Sequence, residues 1–412
     1  MTDENVFTAQ ESHRYSPEDV DAVAKVMRGG SLSVVFGRQT MRFEKELARH
    51  IGTPHAVATS SGASALEIAL DLLDVGYGDE VVVPGYGFIA VVTAVLRNLA
   101  VPVFADISAD TWNLGARAVA GAITERTRAV VVPHMFGNPA EVDAIRAVCE
   151  PRGIAVVEDC AQALGATLHG TPLGAHGSIG CFSFNEIKNL TTGEGGLLAL
   201  NDGEQAELAR VLRLHGTRNL VGCELAGKAT MTEMEAALGR SQLNRLGEEN
   251  AARTAFGTRL QELLADLPGV GVQAVLPGAV HVFSRFVLTV DPAVAGVDRD
   301  GLGAALGAGG LPARPVYGTP MYRQPVTAQL ASGAAARGLA RSYLAVYGKE
   351  SPLARWQDER LPATEEFCAR QLGFVVPPRP TLAHAERIAD LIADALAPAP
   401  ARADSARAEA AV

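Results

Sequence analysis

From about residue 58 to residue 214 the chain alternates short, β-branched apolar runs with stretches of helical periodicity, and this alternation limits the fold more than any other feature. Residues 65–73 repeat apolar side chains at helical spacing. The turn Gly76-Tyr77-Gly78-Asp79 follows, then Val81-Val82-Val83, a short run stopped by Pro84-Gly85. A short apolar run without polar alternation fits a strand buried on both faces. Residues 90–99 suit a helix, 101–105 a strand ending at Asp106, 129–133 a strand and 140–149 a helix. Residues 154–157 suit a strand closing on Glu158-Asp159, 178–184 and 196–200 two more strands, and 204–214 a helix. Strands separated by helices predict an α/β fold with a mostly parallel sheet covered by helices on both faces. Ligands of such sheets sit at the carboxyl ends of the strands, so the loops just after the apolar runs are where chemistry is expected.

With 412 residues the chain exceeds one ordinary core. A helix is predicted over 231–246, continuing to about 264, with Pro268-Gly269 beyond it. The expected division is a large domain over 1–250 and a smaller C-terminal α/β domain over 251–397, with a strand at 283–290. Residues 311–347 have a Gly/Ala-rich centre that reads as a loop. The alanine-rich, polar stretch 398–412 reads as a disordered tail.

The formal charge is −10, from 36 basic and 46 acidic residues. An acidic surface repels phosphate backbones, which argues against a nucleic-acid partner. Residues 1–10 are polar and acidic, unlike a secretory leader. The most apolar stretch, 81–103, is interrupted by Pro84, Gly85, Gly87, Arg97 and Pro102, so no membrane span is expected. The five cysteines form no CxxC pair. They suggest neither a disulfide framework nor a zinc site, but small core residues in a reducing cytoplasm.

Three segments carry possible chemistry. In Ser60-Ser61-Gly62-Ala63-Ser64-Ala65-Leu66, small residues open a helix. Its first amides and positive dipole end could hold a phosphate, although the motif alone favours a plain serine N-cap. Glu158-Asp159-Cys160-Ala161-Gln162 follows a buried strand. Asp159 could pair with a pyridinium N–H, or serve as a helix cap or structural ion-pair partner. In Ser183-Phe184-Asn185-Glu186-Ile187-Lys188, running on to Gly195-Gly196, a lysine stands in a polar loop between two apolar strands. A lysine that joins a carbonyl cofactor needs a lowered pKa and a fixed place at a strand end. A solvated loop lysine is the plain alternative.

Taken in order, the three segments resemble the DegT/StrS-like sugar aminotransferases, a branch of the fold-type I enzymes that depend on pyridoxal phosphate (PLP). The likeness extends to Phe43-Glu44, Gly78-Asp79-Glu80-Val81, Val83-Pro84, His134 with Gly137, and His215-Gly216. It implies roles by position. Lys188 matches the lysine that binds the cofactor covalently and later moves the proton. Asp159 matches the partner of the pyridine nitrogen, and Gln162 the residue near the phenolic oxygen. Phe88 matches the aromatic that stacks on the ring, with core packing as its competing role. Gly62, Ala63, Ser64 and Ser183 match the phosphate cradle. Lys228 stands where the family usually has an asparagine that reaches the cofactor phosphate of the neighbouring subunit. The resemblance further implies a homodimer with shared active sites.

The implied reaction moves nitrogen from glutamine or glutamate, by way of pyridoxamine phosphate, to a ketone on a sugar or cyclitol, as in amino-sugar or antibiotic assembly. Relatives that use nucleotide-linked sugars often carry Pro-Leu-His-x-Gln-Pro. Here the stretch is Pro320-Met321-Tyr322-Arg323-Gln324-Pro325, with Tyr322 at the histidine position. Two other readings share the fold: a PLP-dependent sugar dehydratase, in which histidine replaces the lysine, and a non-catalytic regulator. Lys188 opposes the first; the set Asp159, Lys188 and Ser183 opposes the second.

Overall fold

The computed structural model describes residues 5–8, 14–219, 221–334, 337–348 and 352–396. The expected disordered tail, 398–412, lies outside the described residues. Seven strands build the main sheet: β1 (His55–Thr59), β2 (Glu80–Pro84), β3 (Val101–Ala105), β4 (Thr127–Pro133), β5 (Ala155–Asp159), β6 (Ile179–Ser183) and β7 (Gly196–Leu200). Their order is β1-β7-β6-β5-β4-β2-β3. The pairs β2–β3, β2–β4, β4–β5 and β5–β6 are parallel, while β7 runs antiparallel to both β6 and β1. The parallel core is the predicted sheet. The reversal at β7 follows from its connection: residues 184–195 include no helix, and a strand joined without a crossover returns antiparallel. That loop carries Lys188.

Side-chain alternation along each strand supplies two apolar layers. Val81, Val83, Val131, Val157 and Leu198 face one way and meet α3 (Gly62–Leu72), α4 (Ala90–Arg97) and α7 (Gly203–Leu212). Val82, Val130, Val132, Val156 and Leu197 face the other way, against α2 (Gln39–Ile51), α5 (Ala116–Ala122) and α6 (Val142–Cys149). Ahead of these, α1 (Pro17–Gly29) starts with a capping box made by Ser16 and Asp19. No side chain of its own N-cap residue caps α2. The buried carboxylate of Glu233 does so from a distance, accepting from the Gln39 amide, the Thr40 amide (3.1 Å) and the Thr40 hydroxyl (2.7 Å).

The 32-residue helix α8 (Glu233–Leu264) joins the main sheet to a second core. Its first half packs Ala236 and Leu246 with Phe43 under the main sheet. Its second half packs Phe256, Leu260 and Leu264 against a three-stranded antiparallel sheet of β8 (Val270–Val272), β9 (Arg285–Val290) and β10 (Gln371–Val375). The helices α9 (Arg299–Ala308) and α13 (Leu382–Leu396) cover that sheet.

The Gly/Ala-rich centre of residues 311–347, read as a loop, carries no helix at its described residues 332–334 and 337. Helices α10 (Pro325–Ala331) and α11 (Gly338–Tyr347) flank it, and α12 (Pro362–Arg370) follows. Leu330 and Tyr343 of these helices bury themselves, with Trp356, beside β3 and α4 in the first apolar layer. Tyr343 donates to the Ala100 carbonyl (2.8 Å) and Trp356 to that of Pro102 (3.3 Å). This part of the chain therefore returns to the main sheet. Cys223 also differs from expectation: it is exposed, while Cys149, Cys160, Cys181 and Cys368 are buried. Among the described residues no helix is long and apolar enough to cross a membrane.

Candidate active site

The carboxyl ends of β5 and β6 and the start of α3 converge. A Cβ on Gly62 would stand 2.8 Å from the Ser183 Cβ, and one on Gly196 would stand 2.2 Å from the Ser61 carbonyl oxygen. Only glycine allows both approaches. Ser61 caps α3, its Oγ accepting from the Ser64 amide (3.0 Å), and the Ser64 hydroxyl contacts those of Ser60 (3.2 Å) and Ser61 (2.9 Å). The Ser64 amide is thus committed to the cap. The Ala63 amide belongs to the first turn, which has no intrahelical acceptors, and the helix presents its positive end there. Next to Ser183 this geometry suits a phosphate group.

Asp159 ends β5. Its Oδ1 accepts from the Ala161 amide (3.0 Å), and its Oδ2 accepts no bond among the described residues. Burial raises the carboxyl pKa. The Ala161 amide, Lys188 and His134 pull it the other way without cancelling that effect. Lys188 sits half-buried in the loop between β6 and β7. Its amide donates to the Asn185 carbonyl (2.9 Å) and its carbonyl accepts from Arg14 (2.7 Å). The next residue, Asn189, donates to Asn250 (3.0 Å) and to the Val282 carbonyl (3.2 Å). Burial lowers the Lys188 amine to about 8, with Asp159 opposing and Arg285 reinforcing the shift. No ion pair joins Lys188 to Asp159, so the two groups feel each other across a gap. An acid with an open oxygen, an amine with a lowered pKa and an anion cradle are the donor set that PLP requires.

The remaining residues singled out from the sequence are placed as follows. Phe88 is 53% exposed, which excludes core packing, and its ring lies 5.7 Å from that of Tyr317. The Gln162 Oε1 accepts from the Phe136 amide (3.0 Å), leaving its NH2 to donate elsewhere. Lys228 is exposed at the edge of a cleft that Ser61, Ala63 and Ser64 also line. Sequence reasoning missed Arg14, Arg285 and Tyr317. Arg285 had a signal, a charge inside the apolar run Phe283-Ser284-Arg285-Phe286-Val287. Tyr317 had none; its φ of 51° is strained for a bulky residue and emerges only in three dimensions.

Ligand atoms of His134, Glu158 and Cys160 lie within 4.8 Å of one another, a spacing compatible with a metal ion. Their lone pairs are committed instead. Glu158 accepts from the amides of Gly174 (2.9 Å), His176 (2.8 Å) and Gly177 (2.6 Å). The His134 Nδ1 accepts from the Ala140 amide (3.0 Å), so its Nε2 carries the proton and donates to Glu158 (3.1 Å). Burial pushes the Cys160 thiol well up, which keeps it protonated. The cluster is scaffold that fixes β5 under the site.

Residues 14–345 match the DegT/DnrJ/EryC1/StrS aminotransferase family. The chain is 33% identical over 373 residues to dTDP-3-amino-3,4,6-trideoxy-alpha-D-glucose transaminase of Streptomyces venezuelae, covering 90% of each chain. Its fold is similar to that of S. venezuelae DesV, with a TM-score of 0.80, 32% identity and coverage of 93% and 95%. It is also similar to 3-amino-5-hydroxybenzoic acid synthase, with a TM-score of 0.81, 28% identity and coverage of 93% and 97%. These likenesses define the class: a fold-type I transaminase with a mostly parallel α/β sheet. The chain belongs to the DegT/DnrJ/EryC1/StrS aminotransferase family and is a sugar aminotransferase. Family and fold together imply PLP as cofactor.

Proposed function

We propose that this aminotransferase takes nitrogen from glutamine or glutamate and delivers it to a ketone on a sugar or cyclitol, in amino-sugar or antibiotic assembly. The observation that carries the proposal is the pair of Lys188 and Asp159: an amine with a lowered pKa facing, across a gap, a carboxylate with one open oxygen. When bound, PLP supplies an electron sink, provided that its ring nitrogen keeps its proton. Asp159, through its open Oδ2, would hold that proton. Lys188 would hold the cofactor through Nζ and would take up and return the proton at the reacting carbon. Ser183, Ala63 and the cap at Gly62 to Ser64 would hold the phosphate. Gln162 would face the phenolic oxygen and Phe88 would cover the ring.

We further propose that the chain divides near residue 250, works as a cytoplasmic homodimer, and extends Lys228 toward the partner's cofactor phosphate. Support for a second copy comes from Val35, Phe36 and Met41, which leave an apolar strip exposed, Phe36 by 82%. For the acceptor, the relatives named for dTDP-linked sugars favour a keto-sugar, although Tyr322 departs from the histidine of nucleotide-sugar relatives.

The test is a pair of half-reactions on PLP-loaded protein. Glutamine or glutamate should convert the absorbance of the aldehyde form to that of the amine form, and a keto-sugar or keto-cyclitol should restore it with transfer of ¹⁵N. Loss of water from the sugar without nitrogen transfer would establish a dehydratase instead.

A further inference from the structure

Arg285 opens β9, opposite Val375 of β10, and is half-buried. Two backbone ties place it at the site. The preceding residue, Ser284, donates its amide to the Phe136 carbonyl (2.8 Å), and the Phe136 amide goes to Gln162. Three residues earlier, the Val282 carbonyl accepts from Asn189, the neighbour of Lys188. The guanidinium is consequently close enough to act on the charges of both Lys188 and Tyr317.

Arg213, Arg240 and Arg245 each reach a carboxylate: Glu44, Glu46 (2.7 Å) and Asp19 (2.6 Å). The Arg285 guanidinium makes no hydrogen bond and no ion pair among the described residues. Partly burying a guanidinium without an anion is unfavourable, and its planar fork matches a carboxylate in two-point contact. The cofactor phosphate is already provided for by α3 and Ser183. A keto-sugar carries no charge beside its reacting carbon. An amino-acid donor carries a carboxylate on the very carbon that bears the nitrogen. We infer that Arg285 receives the α-carboxylate of the amino donor, near Lys188 and Tyr317. This rests on the reading that the donor is an amino acid.

The inference separates the two half-reactions. Only the donor half needs Arg285; the ketone half does not. The experiment compares PLP-loaded wild type, Arg285→Gln and Arg285→Lys by rapid mixing. The probes are the active donor, L-glutamine or L-glutamate, and its counterpart without the α-carboxylate, 4-aminobutanamide or 4-aminobutanoate. In Arg285→Gln the apparent Kd for the amino acid should rise about 10- to 100-fold, the loss of a charge-assisted two-point contact. That for the carboxylate-free amine should stay unchanged, as should that for the ketone; any change in rate that comes from the action of Arg285 on Lys188 should be the same for both amines. Arg285→Lys, which keeps the charge and loses the fork, should fall between. Calorimetric titration with glutarate, which has no amine and cannot turn over, should show the same weakening.

Equal affinity for the amino acid in wild type and variant overturns the inference, as does equal loss toward both donors. Should Arg285→Gln not fold, Arg285→Lys carries the test alone, and its loss must be confined to the donor that has the α-carboxylate. A wild-type spectrum that no L-amino acid changes overturns the donor reading itself, and the role of Arg285 with it.

Discussion

Glu158 and Asp159 are neighbours on β5, yet their carboxylates live in opposite surroundings. Glu158 is fully buried and accepts from His134 and three amides. Burial pushes its carboxyl up, but the bonds from His134, Gly174 and Gly177 outweigh that and hold it below its ordinary range. Asp159 is half-buried with one bond on one oxygen, and there burial wins and the carboxyl is raised. The strand turns one side chain toward scaffold and the next toward the cleft. A carboxylate that only supports the fold is saturated with donors, whereas one kept for a ligand leaves an oxygen open at a cost in stability. The arginines repeat the contrast: Arg213 and Arg245 are matched by carboxylates, Arg285 is not.

The largest effect is expected on the cleft side. Lys188→Ala removes the amine that binds the cofactor and moves the proton, so transamination should fall on the order of 10⁴-fold or more. Single-turnover rates measure this, and unchanged melting of the cofactor-free protein would show that the scaffold side is intact. Glu158→Ala tests the other side. It strands the His134 proton and three buried amides, with an expected loss of about 3–5 kcal/mol in denaturant unfolding. If that variant unfolds like wild type, the saturated network is not what holds β5. Ser183→Ala is milder, since it removes one neutral donor from the phosphate cradle. About tenfold weaker PLP binding is expected, read by equilibrium titration of the cofactor-free protein.

Much of the cleft side was legible because it obeys local rules. The buried runs of β2 to β6 and their carboxyl-end loops are written in consecutive residues; Asp159 ends one of these strands and Lys188 stands in the loop after another. The scaffold side was less legible, because its contacts are distant. The apolar residues Phe43, Leu47 and Ile51 of α2 have helical spacing, but the cap of that helix comes from Glu233, so no local residue marks its start. The strand β1 precedes the alternation and pairs only with β7, which lies far along the chain. The helices α10 and α11 flank the Gly/Ala-rich centre, which blurs their limits in the sequence, and burial against β3 sets where they pack. Arg285 reaches the site because the segment leading into β9 is tied to Phe136 through the Ser284 amide and to the 184–195 loop through Asn189. Several motifs of the family likeness, such as Glu44, Glu80 and His134, hold structural ion pairs or hydrogen bonds rather than facing the cleft. A family pattern therefore mixes scaffold with site, and the surroundings of each carboxylate separate them.

The smallest effect divides the two neighbours most cleanly, because it has opposite signs. Below its ordinary range Glu158 contributes stability that is present at neutral pH and lost as pH falls through its folded pKa. Asp159, being raised, binds its proton more readily in the folded state than in the unfolded one. Its contribution is therefore greatest when protonated, and it is lost as pH rises from the ordinary aspartate range through the raised value. Above the raised value the cofactor-free protein carries a half-satisfied charge there. Asp159→Asn should thus stabilise the cofactor-free protein by about 0.5–2 kcal/mol while lowering transamination, a trade of stability for function. Adding PLP should raise the melting temperature of wild type more than that of the variant, because only the carboxylate gains a cationic partner. A cofactor-free Asp159→Asn protein less stable than wild type at neutral pH would mean that Asp159 is saturated like Glu158, and the contrast along β5 would disappear.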